Sequence, residues 1–192
     1  AMALGDYQTN CYIIHEEASS TCCIIDPGYE AVLIMDKLSG LGLAPEAILL
    51  THGHFDHVGA VRRLVAEVPC PVYVHEKDLS QPEEMTAGPL YYTNLYGEGD
   101  VLTLSGLSIR VLHTPGHTKG SVCFYDAENK ILFSGDTLFA GAIGRTDHPG
   151  GDYDLLMKSI FEKLLPLDDS KAPVKVIPGH GPCTDLATEG MT

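Results

Sequence analysis

Basic side chains are scarce in this sequence. Among 192 residues, Lys and Arg together number 12 while Asp and Glu together number 26, which gives a formal net charge of -14 at pH 7. Nonspecific binding to nucleic acid needs clustered Lys and Arg that neutralise phosphates. The composition therefore argues against nucleic acid as a partner, and the excess of acidic groups favours the uptake of cations.

Long apolar runs and paired-cysteine motifs are also lacking. No apolar run approaches the roughly 20 residues that a membrane-spanning helix needs, and the first residues show no basic region followed by an apolar segment. The six cysteines have no CxxC spacing and no regular framework of the kind that disulfides use in small secreted domains. We therefore predict reduced thiols, no membrane partner and a cytoplasmic protein, with at least one of Cys22 and Cys23 buried as a small hydrophobe.

Two common enzyme motifs are missing as well. The sequence contains neither a phosphate-binding GxxxxGK[ST] loop nor a GxSxG nucleophile elbow. It also shows no fixed-period repeat and no low-complexity linker. With 44% hydrophobic and 20% charged residues, the chain can bury a sizeable core. These features predict one domain over residues 1–192.

The first half of the chain alternates strand and helix patterns. Short β-branched runs predict strands, and apolar residues at three- and four-residue intervals predict helices. The predicted strands cover residues 10–15, 21–26, 47–50 and 71–75, and the predicted helices cover residues 29–41 and 58–68. The first two strands are expected to form a hairpin. The first helix carries Val32, Leu33, Met35 and Leu38 and ends at the glycines Gly40 and Gly42.

The second half predicts a β meander followed by a helix. Its predicted elements are strands over residues 101–104, 107–113, 120–125, 131–134 and 174–177, a Gly-rich loop over 135–151 and a helix over 153–165, which buries Leu156, Met157, Ile160, Phe161 and Leu164. Residues 80–100 predict an irregular excursion near a site opening, where Tyr91, Tyr92 and Tyr96 either line a pocket or bury a subunit contact. Both halves together predict an α/β (α+β) fold of two sheets packed face to face with helices outside.

The stretch THGHFDH, residues 51–57, follows a predicted buried strand and concentrates metal-ligating side chains. In an extended segment side chains repeat every two residues, so His52 and His54 can point to one side and bind one ion. Asp56 and His57 fall where the chain turns into a helix, so they project differently and could hold a second ion. A divalent cation would offset the cost of burying these polar groups at a strand end.

Three further candidates also follow predicted strands, each next to a glycine. These are His117 after Thr-Pro-Gly, Asp136 after Ser-Gly and His180 after Pro-Gly. Glycine allows a loop to approach an ion without a Cβ clash. If the loops converge, five histidines and two aspartates suffice for two ions with one shared carboxylate and an open position for water or substrate.

The other candidate residues receive different interpretations. His15 and His75 lie at strand ends without companions, His113 lies in a strand beside the site, and His148 lies in a loop, so none is predicted as a ligand. Asp26 also ends a strand. It is either a structural residue or a partner that orients a ligating histidine through its other ring nitrogen.

The metal motifs resemble those of a known family. THGHFDH is similar to the HxHxDH signature of the metallo-β-lactamase superfamily, and PGHT, SGDTLF and PGHG follow in the order and approximate spacing of its later motifs. Within that superfamily, GDTLFAGAIGRTD resembles the glyoxalase II branch, including small single-domain bacterial members of the hydroxyacylglutathione hydrolase-like type. The resemblance covers nearly the whole chain and implies an αββα four-layer sandwich with the metals at one edge between the sheets.

The resemblance also implies how the ligands divide. It assigns His52, His54 and His117 to one ion and Asp56, His57 and His180 to the other, with Asp136 bridging them. Arg145 matches a basic position near the thioester substrate of the family. Where glyoxalase II often carries a tyrosine this chain has Asp147, and the chain stops shortly after His180, whereas glyoxalase II has a C-terminal helical domain that contributes to glutathione binding.

Three hypotheses of function follow. The first is a binuclear hydrolase of a small thioester or related ester, in which a hydroxide bridging two divalent ions attacks the carbonyl and Asp56 orients that hydroxide. Zinc is the first choice of metal, with iron or manganese as alternatives, and the substrate is a small molecule. The GRTD pattern also resembles persulfide dioxygenases, which suggests a mononuclear Fe(II) enzyme using His52 or His54 with His117 and Asp136. The third hypothesis is a metal-binding module without catalysis. A nuclease and a β-lactamase are both disfavoured, the latter because residue 136 is aspartate and not cysteine.

Overall fold

The computed structural model describes residues 1–168 and 172–191, which contain fourteen strands. The strands are β1 (Met2–Leu4), β2 (Thr9–Ile14), β3 (Thr21–Ile25), β4 (Ala44–Leu49), β5 (Val72–His75), β6 (Asn94–Tyr96), β7 (Val101–Leu104), β8 (Leu107–His113), β9 (Val122–Asp126), β10 (Ile131–Gly135), β11 (Leu138–Phe139), β12 (Ala142–Ile143), β13 (Lys175–Pro178) and β14 (Thr184–Asp185). They form two six-stranded sheets and one small hairpin.

The two sheets have different strand directions. The first sheet has the order β1-β2-β3-β4-β5-β6, with antiparallel pairs up to β3 and parallel pairs from β3 to β6. The second has the order β14-β13-β10-β9-β8-β7 and is antiparallel except where β10 pairs with β13. β11 and β12 form the separate hairpin. The parallel strands of the first sheet need helical crossovers, which explains the helices on its outer side.

The helices are short and flank the sheets. They are α1 (Ala31–Leu41), α2 (Phe55–Val58), α3 (Val61–Glu67), α4 (Glu83–Thr86), α5 (Tyr153–Ser159) and α6 (Leu186–Glu189), with 3₁₀ turns at Glu76–Ser80 and Leu165–Leu167 and a π-helical turn at Ile160–Leu164. No helix in the described part of the chain is long and apolar enough to cross a membrane.

Alternating side chains divide the core into three layers. Cys23 and Ile25 of β3 contact Val111 and Phe124 of the second sheet, so the two sheets pack face to face. The opposite face of the first sheet packs against α1 and α3, and the outer face of the second packs against α5 and the π-helical turn. The order of layers is therefore helix, sheet, sheet, helix, which confirms the predicted αββα sandwich. Cys22 and Cys23 are both buried, as expected.

Several predicted elements have different bounds in the structure. The helix expected over residues 29–41 begins at Ala31 and ends at Leu41, and Gly42 caps it with a positive φ and an N–H bond to the Leu38 carbonyl. Its buried face is formed by Ala31, Ile34 and Leu38, whereas Val32 and Leu33 are exposed. This face follows the three- and four-residue spacing that a helix against a sheet requires.

The helix expected over residues 58–68 is two helices. α2 ends at Val58 and α3 begins at Val61. Between them Gly59 packs so closely on the preceding loop that an added Cβ would lie 2.4 Å from the Gly28 carbonyl oxygen, and the Ala60 N–H donates to the Pro27 carbonyl. This tight backbone contact, which apolar periodicity does not report, interrupts the helix.

The segments predicted as irregular contain regular structure. Residues 80–100 include α4 and the edge strand β6, in which the buried Tyr96 donates to the Leu50 carbonyl. Tyr91 packs against the outer core beneath Arg62, and Tyr92 is exposed. The loop over 135–151 contains the hairpin β11–β12. The helix expected over 153–165 changes to a π-helical turn at Ile160, which leaves Phe161 exposed, contrary to prediction.

Contacts between the sheets join the loops that carry the candidate ligands. Residues Thr9 and His180 form an isolated antiparallel bridge, and the Asn10 N–H donates to the Gly179 carbonyl at 2.7 Å. Further along, the Val122 N–H donates to the Thr51 carbonyl at 2.9 Å. These bonds hold strand ends from both sheets at one edge of the sandwich.

Candidate metal centre

The histidine-rich loop after β4 is buried, and a carboxylate holds its first residue. Asp26, at the end of β3, accepts hydrogen bonds from the Thr51 N–H at 2.7 Å and the Thr51 hydroxyl at 2.6 Å. Asp26 has a φ of 50°, in the left-handed region that aspartate tolerates better than most residues. The carboxylate therefore sets the direction in which the chain leaves the strand and enters the site.

Seven predicted side chains meet at this edge. The structure contains three groups whose ligand atoms all lie within 4.8 Å of one another and that could each hold a metal ion. We call His52, His54 and His117 the histidine group, and Asp56, His57 and His180 the acid group. The third set, which consists of His52, His57 and Asp136, overlaps the other two.

The histidine group is closely packed and buried. Its rings lie 4.6–4.8 Å apart between centroids, and Nε2 of His117 lies 2.9 Å from Nδ1 of His54. Burial and the neighbouring imidazoles lower the pKa of His52 well below its usual value, and burial lowers the pKa of His54 to about 3. The pKa of His117 is lowered in the same way by burial. These three imidazoles are therefore neutral near pH 7 and have lone pairs to donate to a cation.

The acid group has the opposite electrostatics. Oδ2 of Asp56 lies 3.3 Å from Nε2 of His180 and 3.6 Å from Nε2 of His57. Burial alone would lower the pKa of His57, but Asp136 and Asp26 outweigh it and raise that pKa well above its usual value. Burial is likewise outweighed at His180, where Asp136 and Asp56 raise the pKa to about 9. In the absence of a cation, protons on these imidazoles neutralise the negative charge of the neighbouring carboxylates.

Asp136 lies between the two groups. Its Oδ1 lies 3.3 Å from Nε2 of His57, while its Oδ2 lies 3.6 Å from Nε2 of His117 and 3.5 Å from Nε2 of His180. Burial would raise its pKa, but His57 and His180 outweigh burial and lower it well below the usual value, so the carboxylate is ionised. Asp136 therefore faces both groups: Oδ1 lies beside His57 of the acid group, and Oδ2 lies between His117 of the histidine group and His180 of the acid group.

Four of the imidazoles are oriented through Nδ1. This atom hydrogen-bonds to Asp26 in His57 at 2.9 Å, to the Arg145 carbonyl in His117 at 2.8 Å, to the Tyr7 carbonyl in His180 at 3.1 Å and to the Thr51 hydroxyl in His52 at 3.1 Å. Partners of this kind fix the tautomer and turn Nε2 toward the centre of a metal site. The geometry of Asp26 is the one expected of a residue that orients a ligating histidine.

Unpaired buried atoms test whether a cation fits this cluster. Nε2 of His52, Nε2 of His54 and Oδ1 of Asp136 are buried and have no hydrogen-bond partner. Such atoms are costly unless a ligand satisfies them. Imidazole nitrogens and a carboxylate are the donors that zinc and iron accept, so the residues fit divalent metals of this kind.

Sequence analysis missed one buried residue that supports the cluster. Asp78 accepts hydrogen bonds from the Gly53 N–H at 2.8 Å, the Thr118 hydroxyl at 3.0 Å and the Gly120 N–H at 2.7 Å. Burial raises the pKa of Asp78, and these three donors oppose the shift. The carboxylate joins the loop of His52 and His54 to the loop of His117. Nothing in the local sequence of Asp78 indicates this role, because all its donors are distant in the chain.

The glycines beside His117 and His180 have different roles. A Cβ at Gly179 would lie 2.3 Å from Oδ1 of Asp136, so this glycine admits a candidate ligand as predicted. At Gly116, however, a Cβ would lie 2.3 Å from the backbone nitrogen of Leu156 in α5. That glycine, with φ of 139°, is needed for helix packing and not for approach to an ion.

A cavity of about 580 Å³ opens onto the cluster. Besides five of the candidate ligands it is lined by Tyr7, Phe55, Met85, Phe139, Ala142, Ile143, Arg145 and His148. Met85 belongs to the 80–100 segment, which thus reaches the opening, whereas Tyr91, Tyr92 and Tyr96 do not line this cavity. The apolar lining residues come from the loop of Tyr7, from α2 and α4, and from the β11–β12 hairpin. Phe55 lies within THGHFDH, and Phe139, Ala142 and Ile143 lie within GDTLFAGAIGRTD, but the motifs did not identify them as cavity residues.

The remaining histidines only partly follow prediction. His148 lines the cavity, with its ring centroid 5.8 Å from that of His54, but it belongs to none of the three ligand groups. His75 is not without a companion, since its ring stacks on His113 with centroids 4.2 Å apart. His15 hydrogen-bonds to the Glu16 carbonyl away from the cluster.

The chain belongs to the metallo-beta-lactamase superfamily, whose family model matches residues 4–180. A relative named hydroxyacylglutathione hydrolase GloC, from Haemophilus influenzae, is 40% identical over 195 residues, which cover 95% of this chain and 90% of the relative. Family membership and this relative support a metal-dependent hydrolase that acts on a small molecule.

Two solved structures are similar over nearly the whole chain. BLEG-1, described as a B3 metallo-beta-lactamase, has a TM-score of 0.89 at 39% identity and covers 100% of this chain and 95% of its own. TTHA1623 in a di-iron-bound form has a TM-score of 0.87 at 40% identity and covers 99% of this chain and 96% of its own. Both likenesses support the fold and the metal-binding nature of the cluster.

Proposed function

We propose that this chain is a binuclear metal-dependent hydrolase of a small thioester or related ester, with an S-2-hydroxyacylglutathione as one candidate substrate. The observation that carries the proposal is that the histidine group and the acid group adjoin each other, with Asp136 between them. The name of the relative GloC supports the substrate class. Two divalent ions are the proposed cofactors, with zinc first and iron or manganese as alternatives; the di-iron form of TTHA1623 supports iron.

The proposed ligand sets follow the two groups. The histidine group would hold one ion, the acid group the other, and Asp136 would bridge them. The position of Asp136 supports bridging, because its Oδ2 lies close to His117 of the histidine group and to His180 of the acid group, while its Oδ1 faces His57. The Nδ1 hydrogen bonds of His57, His117 and His180 support ligation through the opposite ring nitrogen.

Ions bound there would supply hydroxide at neutral pH, since they lower the pKa of water toward about 7, and would polarise the substrate carbonyl. Asp56 borders the cavity, and its Oδ2 accepts a hydrogen bond from the Thr9 hydroxyl at 3.2 Å. This contact restrains a carboxylate that we assign the role of orienting the attacking water. A thiolate leaving group needs little protonation, so the chain has no need of a dedicated general acid.

The direct test is to load the protein with zinc, iron or manganese and assay S-lactoylglutathione beside simpler thioesters. We expect the wild type to hydrolyse the thioester. His54→Ala should lose bound metal, and its hydrolysis should fall by more than about 100-fold. That is more than the loss expected when a residue that only hydrogen-bonds to a metal ligand is removed. His15→Ala, outside the cluster, serves as the matched control. Full metal content and full hydrolysis in His54→Ala would refute the assignment.

Two other activities are distinguished by the same protein preparation. Oxygen consumption with a persulfide would indicate the mononuclear iron reaction, in which His52 or His54 acts with His117 and Asp136. The adjoining acid group supports hydrolysis instead. The likeness to BLEG-1 favours β-lactam hydrolysis as a second candidate. A protein that cleaves a β-lactam and no thioester would overturn our proposal, and tight metal binding without any turnover would indicate a binding module.

A further inference from the structure

Apolar side chains dominate the cavity above the cluster. Tyr7 and Phe55 pack edge to face with ring centroids 5.3 Å apart, and Phe139 and Ile143 come from the β11–β12 hairpin. Tyr7 is 59% exposed although it lines the cavity, so its ring has apolar surface available for contact with a ligand. A substrate group that packs against this lining leaves water, which is costly for a polar or charged group and favourable for an apolar one.

The positive charge at the cavity is already paired. Among the described residues that line the cavity, Arg145 is the only lysine or arginine. Its Nε and Nη2 donate to the two carboxylate oxygens of Asp147, both at 2.8 Å. The guanidinium lowers the pKa of Asp147, which keeps that carboxylate ionised. This two-point contact occupies the Nε–Nη2 edge of the guanidinium, one of the edges that can bind a substrate carboxylate through two hydrogen bonds.

Asp147 therefore competes with an anionic substrate for Arg145. Both side chains are more than 60% exposed, so the pair contributes little to the stability of the fold. The net charge of -14 adds a long-range repulsion toward anions. The Arg145 carbonyl hydrogen-bonds to Nδ1 of His117, which places this residue beside the candidate ligands at the edge of the cavity.

We propose that Asp147 determines specificity: by neutralising Arg145 beside an apolar cavity, it selects thioesters with uncharged, apolar groups over anionic ones. The proposal rests on the proposed thioester hydrolysis and narrows its substrate class. Arg145, which the family resemblance places near the thioester substrate, is the residue that would receive an anionic group of the substrate. The carboxylate at position 147 controls whether that group is accepted.

The test compares two thioesters with one acyl group, S-lactoylglutathione, which is anionic, and the neutral S-lactoyl-N-acetylcysteamine. We expect the metal-loaded wild type to have the higher kcat/KM for the neutral substrate. Asp147→Asn, which keeps the shape and removes the charge, should raise the anionic-to-neutral ratio of kcat/KM about 10-fold, the effect of one well-placed charge contact. Adding Arg145→Gln to that variant should return the ratio to the wild-type value. Asp36→Asn, an exposed change of equal charge on α1, should leave the ratio unchanged.

A binding experiment separates this inference from the catalytic proposal. Calorimetry with S-hexylglutathione and S-hexyl-N-acetylcysteamine, thioethers that cannot be hydrolysed, should show the same preference and the same shift in Asp147→Asn. If neither thioester is cleaved but the thioethers follow this pattern, the hydrolase proposal fails and the specificity inference stands. An unchanged ratio in Asp147→Asn, or a wild type that prefers the anionic ligand, overturns the inference whatever the activity.

Discussion

The histidine group and the acid group lie side by side, yet the pKa values of their imidazoles are shifted in opposite directions. Imidazoles in the histidine group have lowered pKa values because burial and neighbouring rings disfavour a proton. In the acid group, nearby carboxylates outweigh burial and raise the pKa values of both imidazoles. One edge of the sandwich therefore provides a neutral nitrogen site and an anionic mixed site, which suit borderline and harder cations respectively.

The largest effect is expected where the two groups meet. Asp136→Ala removes the carboxylate that faces both groups. It should therefore weaken metal binding at the histidine group and at the acid group alike. We expect bound metal to fall in both groups and hydrolysis to drop by at least about 1000-fold, as when a charge-stabilising group of a hydrolytic site is lost. Elemental analysis with thioester assays measures this. A variant that keeps two ions per chain would contradict the bridging position.

A pair of single variants separates the groups. His54→Ala should remove the ion of the histidine group and spare the other, whereas His180→Ala should do the reverse. Each is expected to lower hydrolysis by about 100-fold or more, because neither ion alone completes the proposed site. Anomalous scattering from metal-loaded crystals shows which ion remains. If each variant lost metal equally from both positions, the two groups would not bind their ions independently.

The two buried aspartates behind the ligands should act on different groups. Asp78 joins the loops of the histidine group, and Asp26 bonds directly to His57 of the acid group. We expect Asp78→Asn to lower metal affinity in a His180→Ala background, and Asp26→Asn to do so in a His54→Ala background, each by about 10- to 100-fold. Chelator competition measures these affinities. Little change in either background would show that the contacts serve folding alone.

The smallest effect concerns the stacked pair outside the cluster. Burial and the neighbouring His113 lower the pKa of His75 to about 4. Because the unfolded chain binds a proton near pH 6.5 and the folded chain resists it, stability present above pH 6.5 is lost as pH falls toward about 4. In metal-free protein, His75→Gln should reduce this loss by about 1–2 kcal/mol. Urea unfolding between pH 7 and 4 measures how the free energy of unfolding of each protein depends on pH. An identical pH dependence in the wild type and His75→Gln would contradict the lowered pKa of His75.

The convergence of the candidate ligands was predictable because each follows a strand at the same edge. A predicted strand precedes residues 51–57, and predicted strands also precede the glycine-containing loops of His117, Asp136 and His180. The sequence pattern therefore favoured their convergence, and the family resemblance implied their division into two sets. The αββα layers were predictable for a related reason, since alternating side chains on β3 and β9 leave both faces of each sheet apolar.

Other features depended on contacts between distant segments. Asp78 accepts hydrogen bonds from residues 25 to 42 positions away, which no local pattern reveals. The short edge strands β1, β6 and β14 have too few residues to show periodicity. The pairing of Arg145 with Asp147 depends on side-chain rotamers, so the sequence showed only that both residues were present.

The central claim is that two neighbouring cations are held by these two groups. Anomalous scattering at the metal edge from crystals of zinc-loaded wild-type protein tests it most directly. The account predicts two peaks, one among His52, His54 and His117 and one among Asp56, His57 and His180, both within bonding distance of Asp136. A single peak, or metal bound elsewhere while these side chains hydrogen-bond only to one another, would contradict it.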